Sequence, residues 1–367
     1  MSCDRRQFLR AVSAAAVGCP LAMTGEVNAA AGQEHQALYW TNERGKGVRC
    51  GLCPRECFVP VGGRGRCGVR ENRDGIYHTL VYGNPCALNN DPIEKKPLFH
   101  FHPGTDAYSL ATVGCNIECL FCQNWQISQS KPREVETRPM SPDDIVKAAI
   151  ARGSKSIAFT YSEPTIFYEY MMDIASVAQG AGVKTVLISN GYIHKAPQEK
   201  LLKRLDGVKI DFKAFSETFY RDICSAHLKP VLESLQRVKG AGVWLEIVML
   251  TVPTLNDNER ELRAMTRWIN QKLGPDVPIH FTRFHPMYKL KNLPPTPVRT
   301  LEKAREIALE SGLHFPYAGN VAGHPGENTY CPKCKKTIIR RDGYRIARNL
   351  VENGRCSLCG AEIPGIW

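Results

Sequence analysis

Short apolar segments recur along the middle of the chain, and stretches with apolar residues at helical spacing separate them. Such alternation predicts a parallel sheet whose strands are joined by helices. The predicted strands cover residues 108–113, 156–161, 184–189, 207–212, 243–251 and 278–284, with a weaker one at 314–317. Six strand–helix repeats are fewer than the eight of a complete barrel. We therefore expect an α/β fold with a partial (β/α)6 barrel, and a doubly wound sheet is the alternative.

Capping residues mark several predicted helix boundaries. The run Ser141-Pro142-Asp143-Asp144 combines an N-cap serine, a proline at the first helical position and acids in the first turn. Helical spacing predicts further helices over residues 255–273 and 298–309. A glycine follows at the points where helices should end before the next strand. These predicted stops are Gly153, Gly182, Gly242 and Gly312.

Composition divides the 367 residues into segments and excludes several classes of protein. The 43% hydrophobic content argues against wholesale disorder, and no stretch approaches the ~20 apolar residues of a membrane span. Residues 34–100 are rich in Cys, Gly and Arg, residues 101–320 carry the strand–helix alternation, and residues 321–367 return to paired cysteines. The 15 cysteines fall in short clusters, which argues against a secreted disulfide framework.

The net charge of +12 is concentrated in part in the tail. Residues 331–367 hold eight Lys or Arg against three Asp or Glu. A basic surplus can attract nucleic acid, an anionic membrane surface or an acidic protein. For the dispersed charges we favour an ordinary solvated surface.

The first residues have the layout of an export signal, which we assign to residues 1–31. Arg5-Arg6 precedes Phe8-Leu9 and a nearly charge-free run, and small residues follow up to Ala31. This pattern resembles a twin-arginine signal, although Asp4 stands where Ser or Thr is commoner. Cys19 ends a weak lipobox, so export with a lipid anchor at Cys19 is a second version of this prediction. A cytoplasmic protein with an ordinary leader is the alternative.

Three cysteines follow the first predicted strand directly. Cys115, Cys119 and Cys122 have the spacing CxxxCxxC. Thiolates from one tight loop can hold a [4Fe–4S] cluster, and electron-transfer clusters use four of them. Three ligands leave one iron open to a substrate or cosubstrate. A zinc site or three buried thiols is the alternative.

This spacing, with Phe121 directly before the third cysteine, resembles the radical S-adenosylmethionine (SAM) superfamily. The resemblance implies that SAM binds the open iron. An electron donor would then drive SAM cleavage to methionine and a 5′-deoxyadenosyl radical, which abstracts a hydrogen atom.

The resemblance also assigns roles at later strand ends. Glu163, with Ser162 before it, stands where the family holds the SAM amino group, and Ser162 departs from the usual glycine. Asn190 stands where a polar side chain reaches the ribose. Asp211 and Lys213 end the fourth strand, and Lys213 would neutralise the SAM carboxylate.

Nearly the whole mature chain resembles the radical SAM enzymes of the AmmeMemoRadiSam system, which are related to pyruvate formate-lyase activating enzymes. The motifs that carry this likeness are residues 50–57, 62–70, 91–97, 114–129 and 323–367. It implies a Memo-like protein and an AMMECR-domain protein as partners, and it does not identify the substrate. The leader departs from the family, since SAM and reductant are cytosolic.

Two flanking groups of cysteines predict further metal sites. Four thiolates in the tail suit a closed zinc site of zinc-ribbon type, with a second iron–sulfur cluster or disulfides as alternatives. Its members are Cys331, Cys334, Cys356 and Cys359. The N-terminal group would bind zinc or an auxiliary iron–sulfur cluster, and its members are Cys50, Cys53, Cys57 and Cys67. Cys86 is a possible fifth partner of that group, and Cys224 is expected to be a buried small residue.

The leading functional prediction is a radical SAM enzyme that takes hydrogen from a protein or small molecule. Arg283 and His285, after the sixth strand, are candidate catalytic residues, and a structural role for His285 is equally favoured. A radical SAM enzyme that modifies RNA is one alternative, although the tail has few aromatic residues for stacking. A non-enzymatic, exported iron–sulfur electron carrier is the other.

Overall fold

The computed structural model describes residues 35–367, so the predicted signal segment and Cys19 lie outside the described residues. The described chain begins with six short strands in two antiparallel sheets, ordered β1-β6-β5 and β2-β3-β4. Their bounds are β1 His35–Gln36, β2 Trp40–Asn42, β3 Val48–Cys50, β4 Phe58–Val59, β5 Arg70–Arg73 and β6 Ile76–Thr79.

An eight-stranded mixed sheet forms the centre of the fold. Strands β8 to β14 are parallel and lie side by side in chain order, and β7 pairs antiparallel with β8 at one edge. Their bounds are β7 Ala87–Pro92, β8 Asp106–Ala111, β9 Ser156–Phe159, β10 Lys184–Ser189, β11 Gly207–Asp211, β12 Trp244–Thr251, β13 Ile279–Arg283 and β14 Pro316–Gly319.

The strand order contradicts the doubly wound alternative. Such a sheet reverses its strand order at a switch point, whereas β8 to β14 follow one another without reversal. Every predicted strand is present, with its ends within two residues. Strand β7 was not predicted, because its sequence is polar and ends in Pro92, a residue that fits an edge strand.

Helices connect the parallel strands and cover the outside of the sheet. Their bounds are α1 Trp125–Ser128, α2 Pro142–Ala151, α3 Tyr168–Gly180, α4 Lys195–Leu202, α5 Glu217–Cys224, α6 Leu228–Gly240, α7 Glu259–Leu273 and α8 Val298–Glu310. In the described part of the chain, none of them has the length and apolar character that crossing a bilayer requires.

The predicted helix boundaries have the expected local chemistry. Ser141 caps α2 in a capping box: its Oγ accepts from Asp144 N at 3.2 Å, and its N donates to Asp144 Oδ2 at 3.1 Å. The predicted glycine stops all have positive φ, a conformation that costs glycine little. They are Gly153, Gly182, Gly242 and Gly312.

The cysteine-rich tail folds into short strands against the central sheet. Their bounds are β15 Thr329–Tyr330, β16 Thr337–Asp342, β17 Arg345–Asn349, β18 Val351–Glu352 and β19 Arg355–Cys356. Buried tail residues share an apolar cluster with Phe99, Phe315 and Tyr317. Arg341 donates to Phe99 O at 2.9 Å and stacks over the Phe99 ring. Residues 35–367 belong to one compact unit, and the predicted boundaries near residues 100 and 320 stay a prediction.

Candidate active site

The three-cysteine loop leaves the carboxyl end of β8 through a glycine that packing requires. Gly114 has φ +98°, and a Cβ there would lie 2.7 Å from Val69 Cγ1 and 2.8 Å from Cys67 O. Any other residue would be strained and would collide with backbone. The loop therefore turns tightly, and Cys115 follows directly.

All three loop cysteines line one cavity of about 460 Å³ at the carboxyl ends of the parallel strands. This is the edge at which α/β barrels place their chemistry. The structure brings all six residues of the predicted SAM site to the same cavity. They are Phe121, Ser162, Glu163, Asn190, Asp211 and Lys213.

The pKa values of the loop thiols are shifted in different directions. Burial raises the pKa of Cys115 well above its ordinary value, with Glu163 adding to the effect, and burial also raises the pKa of Cys122. A hydrogen bond with Cys224 lowers the pKa of Cys119, and Lys213 lowers it further. Because the thiolate is the metal ligand, loading this loop with a metal releases protons.

Cys224 is a neighbour of the loop that the sequence did not assign to the site. It is fully buried, as expected, but its thiol is hydrogen-bonded to that of Cys119. It ends α5, and its carbonyl accepts from Glu118 N at 3.0 Å. No spacing in the sequence could have indicated this contact, since the two cysteines lie on different elements.

Glu163 is the buried carboxylate of the cavity, and backbone and hydroxyl donors hold it in place. Oε1 accepts from Thr165 N at 2.9 Å and from the hydroxyls of Thr165 and Ser189 at 2.7 Å each. Oε2 accepts from Asn190 N at 2.8 Å. Burial raises the pKa of Glu163 in spite of these donors, so an adjacent cation would favour its charged form.

Asn190 connects this carboxylate to the cysteine loop. Its Nδ2 donates to Asn116 Oδ1 at 2.8 Å and lies 3.9 Å from Cys115 Sγ. Asn116 in turn donates to Tyr192 O at 2.7 Å. The ends of β8, β9 and β10 are thus joined by a continuous set of side-chain contacts.

Asp211 lies between two lysines at the end of β11. Lys209 and Lys213 both contact its carboxylate, the latter at 3.1 Å. Although burial opposes ionisation, the two lysines lower the pKa of Asp211 to about 2. Burial likewise opposes the charge on Lys213, but Asp211 and nearby thiols raise its pKa above its usual value. Both groups are therefore charged at neutral pH.

A second polar group in the cavity was not predicted as part of the site. Lys96 is buried, and it contacts Asp91 and stacks over the Tyr161 ring at 4.6 Å. Burial lowers the pKa of Lys96 to about 8. Lys95 and Lys96 line the cavity with Tyr161. The sequence signal for this group is the motif at residues 91–97, one of those that carry the family resemblance.

The two candidate catalytic residues are not among the described residues that line this cavity. From the end of β13 and the segment after β14, Thr282 and Asn320 line the cavity in the described part of the chain. Arg283 and His285 do not line it. Arg283 Nε donates to Thr296 O at 2.8 Å, and His285 is exposed. Their roles stay a prediction without geometric support.

The residues present fit a cluster-bound SAM molecule. The three loop cysteines line the cavity with no other cysteine among its described lining residues, and buried groups of both charges stand at the ends of β9 and β11. Ser162 Oγ is buried and has no hydrogen-bond partner among the described residues. Such an orphaned hydroxyl beside a cavity calls for a polar ligand.

The tail cysteines form a compact group. Cys331 Sγ lies 3.6 Å from Cys359 Sγ, and Cys334 Sγ lies 4.0 Å from Cys356 Sγ. All four sulfurs lie within 4.8 Å of one another. A tetrahedral ion with Zn–S bonds of ~2.3 Å separates its sulfurs by about 3.8 Å. The tail thus has room for one metal ion at its centre.

Cys86 lies beside the central sheet. Its backbone N donates to Ala111 O at 2.8 Å, at the end of β8. Burial raises the pKa of its thiol to about 11.

Comparison with known proteins gives the family. The model of the radical SAM superfamily matches residues 109–265. An uncharacterized protein of Methanocaldococcus jannaschii is 46% identical over 330 residues, which cover 89% of this chain and 98% of that protein. The pyruvate formate-lyase-activating enzyme of Clostridium pasteurianum is 24% identical over 219 residues, or 54% of this chain and 87% of the enzyme.

Among solved structures, a domain of a pyruvate-formate lyase-activating enzyme from Bacteroides vulgatus aligns with 46% of this chain and 100% of its own, at 16% identity and a TM-score of 0.41. The sequence relatives and the matched model agree with the cysteine loop described above. The chain belongs to the radical SAM superfamily and is related to pyruvate formate-lyase activating enzymes.

Proposed function

We propose that this protein cleaves SAM reductively and uses the resulting 5′-deoxyadenosyl radical to abstract hydrogen from a protein or small-molecule substrate. When bound, a [4Fe–4S] cluster supplies the electron for this cleavage. Three loop thiols share one cavity with the residues of the predicted SAM site, and this observation carries the proposal. The proposed cluster ligands are Cys115, Cys119 and Cys122.

Different polar residues of the cavity would bind different groups of the SAM molecule. Glu163, held rigidly by four donors, would accept from the SAM ammonium. Lys213, whose Nζ lies over the Phe121 ring at 5.9 Å from its centroid, would pair with the SAM carboxylate. Asn190 would reach the ribose. Opposite charges at the ends of β9 and β11, with Asn190 at the end of β10 between them, would orient SAM in the cavity.

The rest of the cavity is left for the substrate. Lys95, Lys96, Thr282 and Asn320 line it, together with Tyr344 from the tail. These residues are polar or cationic, so the pocket favours a substrate with polar or anionic groups near the abstracted hydrogen.

Sequence motifs outside the cavity support three finer proposals. Membership of the AmmeMemoRadiSam system rests on the N-terminal and tail motifs, and it brings a Memo-like and an AMMECR-domain protein as proposed partners. The tail would hold structural zinc, a view that its sulfur spacing supports. Residues 1–31 would direct export with or without a lipid anchor at Cys19, and mass spectrometry of the native N-terminus tests this: an intact Met1 or Ser2 would contradict it.

The proposal is tested by anaerobic reconstitution with iron, sulfide, SAM and dithionite. The parent protein should produce 5′-deoxyadenosine. A variant with Cys115, Cys119 and Cys122 replaced by alanine should fall to background, because the three thiolates are the proposed cluster ligands. Cys86→Ala is the matched control and should keep its activity. Undiminished 5′-deoxyadenosine from the triple variant would overturn the assignment.

A further inference from the structure

Four N-terminal thiols face one another outside the cavity described above. Cys50 ends β3, Cys53 and Cys57 lie in the turn to β4, and Cys67 precedes β5. Cys50 N donates to Cys57 O at 3.0 Å. A Cβ built on Gly65 would lie 3.9 Å from Cys67 Sγ and 4.0 Å from Cys57 Sγ. Two separate loops therefore direct their sulfurs toward a common space.

The spacing of these thiols differs from that of the tail. Among the described residues, the tail quartet is the one group of three or more Cys, His, Asp or Glu side chains placed to share a single ion. The N-terminal thiols, like the loop of the radical SAM site, are more widely spread. An iron–sulfur cage places a separate iron behind each thiolate, so it needs sulfurs farther apart than one zinc ion does.

The residues around the four thiols offer hydrogen-bond donors and a positive charge. These suit a negatively charged group whose sulfur atoms accept hydrogen bonds. Tyr77 Oη is fully buried, has no partner among the described residues and would lie 2.7 Å from a Cβ on Gly65. Arg70 Nη1 lies 4.0 Å from Cys50 Sγ. Arg66 N donates to Cys57 Sγ at 3.4 Å. Hydrogen bonds of this kind to cluster sulfurs help to set the reduction potential of a cluster.

Arg70 is itself held in place by a buried ion pair. Its guanidinium pairs with Glu169 of α3, and the two side chains are 1% and 2% exposed. Removing one partner of such a pair leaves an uncompensated buried charge, which is strongly destabilising. The pair therefore anchors the N-terminal sheets to the central fold and fixes the cation beside the thiols.

These thiols are close to the radical SAM loop but do not reach its cavity. The Cys67 carbonyl lies 2.8 Å from the position of a Cβ on Gly114, the residue before Cys115. Arg55 Nε donates to Asn116 O at 2.8 Å, and Arg66 pairs with Glu118 at 2.6 Å. None of the four N-terminal cysteines lines the cavity within the described chain.

We propose that Cys50, Cys53, Cys57 and Cys67 bind a second iron–sulfur cluster, packed directly behind the radical SAM loop. Four thiolate ligands leave no iron open to substrate, so this cluster is suited to electron transfer. Its existence does not depend on SAM cleavage by the neighbouring site.

The full chain with Cys115, Cys119 and Cys122 replaced by alanine provides the test, because this background cannot form the radical SAM cluster. After anaerobic reconstitution it should retain iron and acid-labile sulfide in equal amounts, with a signal in electron paramagnetic resonance on reduction. Adding Cys53→Ser and Cys67→Ser should remove all of that iron. Adding Cys86→Ser instead should remove none.

Three results would overturn the proposal. The first is zinc instead of iron in the triple variant, in excess of the one equivalent expected in the tail. The second is no metal at all beyond that tail equivalent. The third is iron that remains bound when Cys53 and Cys67 are also replaced. Should the Cys53 and Cys67 variant fail to fold, the single change Cys57→Ser at a half-buried ligand must still lower the iron content, with folding checked by circular dichroism. A failure of SAM cleavage in the parent protein would affect only the proposed function.

Discussion

The loop after β8 and the tail both gather cysteines, but they do so in opposite ways. The loop presents three widely spread thiols to an open cavity at the carboxyl ends of the strands. The tail encloses four thiols within 4.8 Å. An incomplete set of ligands leaves a coordination position for chemistry, whereas a complete set yields a closed, structural site. The two regions therefore differ in the number and the spacing of their thiols.

Buried polar groups near the two regions are satisfied to different extents. Beside the tail, Glu246 accepts from Phe99 N, His100 N, Trp244 Nε1 and His280 Nε2 at 2.7–3.0 Å. In the cavity, Ser162 Oγ stays without a partner among the described residues. Glu246 is thus satisfied, whereas Glu327 Oε2 and Arg341 Nε on the tail side, like Ser162 Oγ, are buried without a partner among the described residues.

The largest expected effect is on the tail. Replacing Cys331 and Cys359 by serine should release zinc and unfold the residues beyond about Tyr330, because metal binding supplies folding energy there, on the order of 10 kcal/mol in small zinc domains. Metal analysis and limited proteolysis measure this. The Cys115, Cys119 and Cys122 triple variant is the control and should keep the zinc. A tail that resists protease with no metal present would contradict the structural-zinc proposal.

A smaller effect concerns the buried histidine between the sheet and the tail. His100 Nδ1 donates to Pro364 O at 2.7 Å, and Nε2 lies 2.6 Å from Tyr317 Oη. Burial lowers the pKa of His100 to about 4. The unfolded chain binds this proton below about pH 6.5, so stability should fall as the pH drops from 6.5 to 4, by up to about 3 kcal/mol.

Glu327 works in the opposite direction, since burial raises its pKa to about 7. The measurement is therefore a comparison of urea unfolding between the protein and His100→Gln at several pH values from 7.5 to 4.5. The variant should lose less stability on acidification than the parent. Equal losses in both would show that His100 is not the responsible group.

The third prediction concerns the cavity. Glu163→Gln removes the negative charge at nearly constant shape, and it should weaken SAM binding about 10- to 100-fold, since a charge-assisted hydrogen bond contributes roughly 1.5–3 kcal/mol. The cluster spectrum should be unchanged. Calorimetry with the reconstituted protein measures the affinity, and Glu118→Gln, outside the cavity, is the control. Unaltered SAM affinity would remove Glu163 from the proposed site.

Local signals in the sequence determined much of the fold and the composition of the proposed site. The parallel strands, the capped start of α2 and the four glycine stops depend on residues close together in the chain. The three-cysteine loop, and the positions of Glu163, Asn190 and Lys213 at strand ends, could also be read in this way. Parallel strands bring their carboxyl ends together whatever the details of packing, so residues placed there meet.

Only the tertiary structure decided which distant groups are neighbours. Strand β7 is polar and gains its place by pairing with β8. The contact of Cys224 with Cys119 and the insertion of Lys96 into the cavity join residues that no local pattern connects. The spacing of each thiol group is likewise set by how the loops pack. Such contacts depend on the packing of whole elements, and a sequence pattern reports only the face that each element buries.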